Sequence, residues 1–167
     1  MSKKLKFGYF AHWFQPPYKF VDFLKEQGIE ISEASVKSGL ASVIWHARFE
    51  VIGKDPLIIA DGGHNPEGID GAVDSIRQYF SRKVGIVTGV MADKDYRYMA
   101  GRIASVAEQV FCLKPDNPRA LPAEDYANVF RELGISATPC AAVSDALSAA
   151  LKWGREHNAP VICLGSL

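Results

Sequence analysis

Net charge is what this chain most plainly lacks: nineteen lysines and arginines are matched by nineteen acids over 167 residues. A balanced chain carries no electrostatic footprint for a nucleic-acid backbone or an anionic bilayer, so neither is expected as a partner. Long apolar runs are missing as well. None approaches the roughly 20 residues a spanning helix requires, and Met1-Ser2-Lys3-Lys4 is not followed by a signal-peptide core. The expected location is the cytoplasm. Cysteine is scarce: Cys112, Cys140 and Cys163 are odd in number, widely spaced and without a C-x-x-C pair. That excludes a disulfide framework and leaves small buried hydrophobes as the favoured reading. His12, His46 and His157 form no metal-binding spacing. There is no G-x-x-x-x-G-K-[ST] phosphate loop, no G-x-G-x-x-G turn and no G-x-S-x-G elbow.

What is present is a globular composition, 48% hydrophobic and 23% charged, which argues against disorder and provides for one well-packed core. Helical spacing runs over Tyr18–Gln27, with Gly28 suited to stop it, and Ser32 can cap a second helix reaching about Val43. Arg48–Ile52 and Leu57–Ala60 then read as a hairpin around Gly53-Lys54-Asp55-Pro56. After it, helix and strand alternate. Helices are predicted over 66–80 and 96–106, another opens near Pro122 and ends before Gly134, and a last one spans 145–156 with Ser144 as its cap. Strands are predicted over 84–90, 110–113, 135–138 and 161–164. This alternation predicts an α/β fold: a Rossmann-like, mostly parallel open sheet of about six strands, an antiparallel edge hairpin, and helices on both faces. Residues 1–44 read as an N-terminal extension with helices and 45–167 as the domain proper. The first twenty residues fit the scheme poorly, as an irregular cap, a swapped arm or a remnant.

Strand ends carry the chemistry. In parallel strands the carboxyl ends gather on one edge, so Asp61 to Asn65, Thr88 to Asp95 and Leu164 to Leu167 should lie near one another. In the first turn, Asp61 can accept sugar hydroxyls, Gly62 and Gly63 let backbone N–H groups approach a phosphate, and the helix opening at Pro66 favours anions. His64 can donate to a phosphate or move a proton near neutral pH. The plain alternative is that Asp61 and Asn65 only satisfy turn and cap hydrogen bonds. Lys94 can meet a phosphate or carboxylate, flanked by Asp93 and Asp95; equally, an acid there caps the helix beside a solvated lysine. Ser166 can hold a carboxylate. Arg48 offers a fork for a polyphosphate, or packs as a surface arginine on an aromatic.

Four segments occur in a telling order: Trp45-His46-Ala47-Arg48-Phe49-Glu50-Val51, Ala60-Asp61-Gly62-Gly63-His64-Asn65-Pro66, Gly89-Val90-Met91-Ala92-Asp93-Lys94-Asp95 and Gly165-Ser166-Leu167. Together they resemble the C-terminal domain of folylpolyglutamate synthase and dihydrofolate synthase, of the Mur ligase superfamily. The family pattern is close to W-P-G-R-[FL]-E, D-G-A-H-N-P, G-V-[LM]-x-D-K-D and G-S-L. His46 and Ala47 therefore stand where proline and glycine are usual, and Gly63 stands for an alanine.

The resemblance implies an ATP-dependent ligase joining L-glutamate to folate or dihydropteroate through an acyl phosphate. It implies that Arg48, Asp61 and Asn65 serve ATP, with Arg48 at the phosphates and Asp61 at the ribose. It also implies His64 beside the reacting phosphate and glutamate, and Ser166, Lys94 and Asp95 at the incoming glutamate or a domain contact. The family's N-terminal ATPase domain, with its P-loop and Mg2+ ligands, is not found in this sequence; Gly8–Phe20 only loosely suggests its end. A C-terminal domain inactive alone is the resulting expectation. Two competitors remain: a stand-alone non-catalytic Rossmann-like binding module, and a small hydrolase or transferase using His64 as base.

Overall fold

The computed structural model describes residues 17–42 and 45–166. The expectations for residues 1–16, including most of the segment from Gly8, and for Leu167 lie outside the described residues. The chain divides into two compact units, Met1–His46 and Ala47–Leu167.

The first unit contains α1 (Pro17–Glu26) and α2 (Glu33–Ser42). Gly28 stops α1 as its spacing predicts: its φ of +82° is open to glycine, and Ile29 N–H turns back to the Leu24 carbonyl. Ser32 caps α2, its hydroxyl accepting from Ser35 N–H at 3.0 Å.

The second unit is the expected α/β domain. In chain order it comprises β1 (Glu50–Lys54), β2 (Leu57–Asp61), α3 (Pro66–Tyr79), β3 (Val84–Gly89), α4 (Tyr96–Ala104), β4 (Ala107–Leu113), α5 (Ala123–Glu132), β5 (Ser136–Cys140), α6 (Val143–Glu156) and β6 (Val161–Gly165). The six strands lie in the order β1-β2-β6-β3-β4-β5, all parallel except the β1–β2 hairpin.

Strand alternation divides the core into two faces. Val87, Phe111, Leu113, Val161 and Cys163 pack against Ala146 and Ala150 of α6. Ile86, Val110, Cys112, Ile162 and Leu164 alternate with them and are buried on the opposite face, the side of α3, α4 and α5. Gly85 is a close approach rather than a turn: a Cβ there would stand 2.6 Å from the Trp153 ring of α6. Burial holds the Cys112 thiol up at about 12 and the Cys163 thiol up at about 11, as inert core cysteines require.

Several boundaries differ from those the pattern predicts. β4 begins at Ala107, three residues early, because Glu108 and Gln109 extend the strand past its apolar run. β5 covers Ser136–Cys140, and it holds Pro139 because it is the sheet's edge. Ser144 does not cap α6: Ala142 occupies that position and no side chain bonds the first turn. Pro122 stands at the cap position of α5, where that helix is expected to open.

Candidate functional site

The sheet register brings the polar turns together. Asp61 at the end of β2 pairs with Leu164 of β6, Leu164 with Thr88 of β3, and Gly165 with Gly89. With strands about 4.8 Å apart, the ends of β2 and β3 stand about 10 Å from each other, with β6 between them. The three turns after these strands therefore share one rim, as the parallel alternation predicts.

Asp61 is the anchor of the first turn, and it points inward. It is only 3% exposed. Its Oδ2 accepts the Phe49 N–H at 3.0 Å and its Oδ1 accepts the Gly63 N–H at 2.8 Å. Burial raises its pKa above the usual carboxylate value, opposed by those two amide bonds and the charge of Arg48. In this geometry Asp61 ties the β2 turn to the segment before β1; the ribose-facing acceptor implied by the resemblance is turned into the protein.

Around that anchor the backbone is shaped for close approach. Gly62 N–H donates to the Ala47 carbonyl at 2.8 Å, and Arg48 Nη1 donates to the same carbonyl at 3.1 Å. A Cβ on Gly62 would stand 2.8 Å from Arg48 Nη1, so glycine is what lets the guanidinium lie over the turn. Arg48 is exposed and is flanked by two residues in the left-handed region, Ala47 at φ 53° and Phe49 at φ 47°. Backbone strain of this kind collects where a side chain has to be presented. Ala47 bears it at the position where the family pattern has glycine.

His64 is exposed, and its Nδ1 lies 2.9 Å from the Gly62 carbonyl. A carbonyl only accepts, so Nδ1 carries the proton and the Nε2 lone pair of the neutral ring faces away from that bond. Asn65 caps α3: its Oδ1 accepts Gly68 N–H at 2.9 Å, and Pro66 opens the helix behind it. The plain reading of Asn65 as a cap thus holds as geometry. Gly63 packs on the same first turn, where an added Cβ would stand 2.7 Å from the Gly68 carbonyl.

The second turn places Lys94 half-buried between Asp93 and Asp95. Asp95 caps α4, its Oδ1 accepting Tyr98 N–H at 3.1 Å. Asp93 pairs instead with Arg119 at 3.0 Å. Arg119 is a rim residue that pattern reading passes over: it comes from the proline-rich loop after β4. That loop is stitched to the turn by Ala92 N–H to the Arg119 carbonyl (2.8 Å) and Leu121 N–H to the Val90 carbonyl (2.9 Å). Contacts between segments far apart in sequence, such as the Asp93 pairing 26 positions away, are what reveal it.

The third turn is locked to the second. Ser166 N–H donates to the Gly89 carbonyl at 3.0 Å. Gly165 has φ +100°, and a Cβ on it would stand 2.5 Å from that same carbonyl. Ser166 is half-buried at the rim. Among the described residues, no three His, Cys, Asp or Glu side chains converge to hold a metal ion. No described helix is long and apolar enough to cross a membrane.

An open, mostly parallel sheet whose strand-end turns converge on one rim defines an α/β domain of the doubly wound class. Residues 47–167 match the family model of the Mur ligase glutamate ligase domain. The chain belongs to the Mur ligase family. It is 38% identical over 105 residues to folylpolyglutamate synthase of Lacticaseibacillus casei, covering 62% of this chain and 24% of that relative. It is 27% identical over 143 residues to the dihydrofolate synthase/folylpolyglutamate synthase of Escherichia coli, covering 84% of this chain and 32% of the relative. The fold matches folylpolyglutamate synthase of Mycobacterium tuberculosis, solved with ADP and AMPPCP, at a TM-score of 0.77 and 23% identity. That match covers 83% of this chain and 34% of the other. It also matches a bifunctional folylpolyglutamate synthase/dihydrofolate synthase solved with Mn, AMPPNP and L-glutamate bound, at a TM-score of 0.73 and 25% identity, covering 87% and 35%. The chain thus spans a quarter to a third of the length of these relatives.

Proposed function

We propose that this chain is the glutamate-accepting half of an ATP-dependent folate:glutamate ligase, closing over a nucleotide held by a separate P-loop domain. The observation that carries the reading is the register Asp61–Leu164–Thr88, which sets the Arg48/His64 turn, the Lys94 turn and Ser166 along one edge. In the proposed reaction a substrate carboxylate attacks the γ-phosphorus of ATP, ADP leaves and an acyl phosphate forms. The amine of glutamate then attacks the acyl carbon, phosphate leaves and an amide results.

Each rim residue has a task in that scheme. Arg48, presented over Gly62, offsets charge on the transferring phosphoryl group. His64, with its proton held at Nδ1, turns Nε2 outward to take a proton from the ammonium group of the incoming glutamate, freeing the amine that attacks. Lys94 and Ser166 hold the carboxylates of the incoming amino acid. Asp61, Asn65 and Asp95 act as positioning residues, fixing the turns that carry these groups. Mg2+ would supply charge neutralisation from the partner domain.

Alone, half a cleft encloses little of a nucleotide, and affinity for ATP should be about millimolar, with no ligation. Titration calorimetry with ATP checks the first statement. For the second, the chain is mixed with the ATPase domain of a folylpolyglutamate synthase and glutamate addition to a folate is followed. Restored elongation that is lost with His64→Ala supports the proposal. Failure of the intact pair to elongate, with both halves folded and associated, points to a non-catalytic binding module instead.

A further inference from the structure

The turns that carry His64 and Lys94 follow β2 and β3, and β6 lies between those two strands. No ladder hydrogen bond therefore joins β2 to β3 directly. The helices that follow the turns meet instead: α3 and α4 are in contact, and because their strands are parallel they run in the same direction. Three side-chain pairs join them, each 28 positions apart: Asp70 with Tyr98, Asp74 with Arg102 and Arg77 with Ser105. A constant offset is what two parallel helices held in one register produce.

The first pair lies nearest the rim. Tyr98 Oη donates to Asp70 Oδ2 at 2.8 Å and stands 3.1 Å from Oδ1, while Arg102 Nε donates to the same carboxylate. Tyr98 is fixed at its backbone too, its amide donating to Asp95, the cap residue beside Lys94. Asp70 stands about one turn into the helix that Asn65 caps beside His64. One side chain thus reaches from the Lys94 turn to the helix of the His64 turn. The competing account is an ordinary surface network that adds stability. Exposed pairs contribute little of that, and Tyr98 is 44% exposed. Cohesion comes from Ile69 and Val73 of α3 and Met99 and Ile103 of α4, all buried. Apolar contact is non-directional, so it does not fix how far one helix sits along the other; hydrogen bonds of defined length and angle do.

We infer that Tyr98 and Asp70 are positioning residues for the amino-acid site: their hydrogen bond sets the Lys94 turn against the His64 turn. The inference rests on the ligase reading for what the two turns hold, and on the geometry alone for the brace between them.

Tyr98→Phe, which removes only the hydroxyl, tests this in the full 167-residue chain. Its urea midpoint should stay close to that of wild type. NMR relaxation dispersion of the 15N-labelled chain should show new exchange at both 62–65 and 93–95, with the sheet unchanged. In the pair formed with the ATPase domain of a folylpolyglutamate synthase, KM for glutamate should rise about fivefold with kcat little changed, because Lys94 holds a carboxylate that does not react. In a Lys94→Ala background, Tyr98→Phe should raise KM no further, whereas a merely structural effect would act in both backgrounds. Turns as quiet as in wild type, or an equal effect with and without Lys94, would overturn the inference. If the wild-type pair does not elongate folate, the ligase reading fails and the dispersion measurement alone decides the brace.

Discussion

The Phe49 amide and the Asp61 carboxylate, twelve positions apart, are joined by a 3.0 Å hydrogen bond that fastens the segment before β1 to the end of β2. The second carboxylate oxygen takes the Gly63 amide at 2.8 Å. One buried acid thus satisfies two backbone donors, one before β1 and one after β2. Arg48 lies next to the first donor and His64 next to the second, so the relative placement of both candidate functional groups passes through a single side chain.

Asp61→Asn should therefore cost stability, about 1.5–3 kcal/mol, because an amide offers one acceptor and sets its NH2 against the other backbone N–H. Urea unfolding measures it. The pH dependence has a definite sign. Burial raises the folded-state pKa of Asp61 above its value in the unfolded chain, so the native state binds its proton more tightly. Stability from this group then falls as pH rises from the unfolded value through the raised one, and is level above it. The advantage of wild type over Asp61→Asn should shrink across that window. An advantage that grows with pH there would show the two amide bonds outweighing burial.

Ala47 and Phe49 share the left-handed backbone on either side of Arg48, yet replacing them with glycine should give opposite results. At Ala47, glycine relieves about 1–2 kcal/mol of αL strain, offset in part by its greater freedom in the unfolded chain. The net gain should be about 0.5–1 kcal/mol, read as a higher urea midpoint at unchanged m-value. At Phe49 the same relief is overwhelmed. Its ring is buried and stacked on Tyr79 at 5.7 Å, and removing it should cost about 3–5 kcal/mol. A destabilised Ala47→Gly would mean that the positive φ is held without strain.

Much of this was legible from the chain alone, for identifiable reasons. The apolar runs ending at Asp61, Gly89 and Gly165 mark strand ends, and the parallel alternation places such ends on one edge. Asn65 and Asp95 cap helices, and Ser32 does the same, because a short polar side chain ahead of an apolar period is a local signal. Non-local facts escaped. That Asp61 faces inward depends on an amide twelve positions away, and Arg119 reaches the rim through the Ala92 amide and a pairing with Asp93, both in the distant turn after β3. Ser144 misleads as a cap because helix α6 starts one residue before it, with Ala142 at the cap position. Nothing local distinguishes those alternatives.

The third turn yields the sharpest contrast between two glycines. Gly165 is at φ +100°, and an added Cβ would meet the Gly89 carbonyl at 2.5 Å and Thr88 Oγ1 at 2.9 Å. The nearest obstacle is backbone in the middle of the sheet, which cannot rotate away. Gly165→Ala should cost about 2–4 kcal/mol through overpacking and a disfavoured dihedral. It should also part Ser166 N–H from the Gly89 carbonyl, so amide exchange at Ser166 should quicken by more than global destabilisation alone accounts for. Gly101 is the control. It is exposed within α4, a Cβ there meets nothing within 4 Å, and Gly101→Ala should stabilise by about 0.5–1 kcal/mol. If both substitutions moved the unfolding midpoint equally, the close approach of β3 and β6 would not be what holds Ser166 at the rim, and its proposed hold on an incoming carboxylate would lose its structural basis.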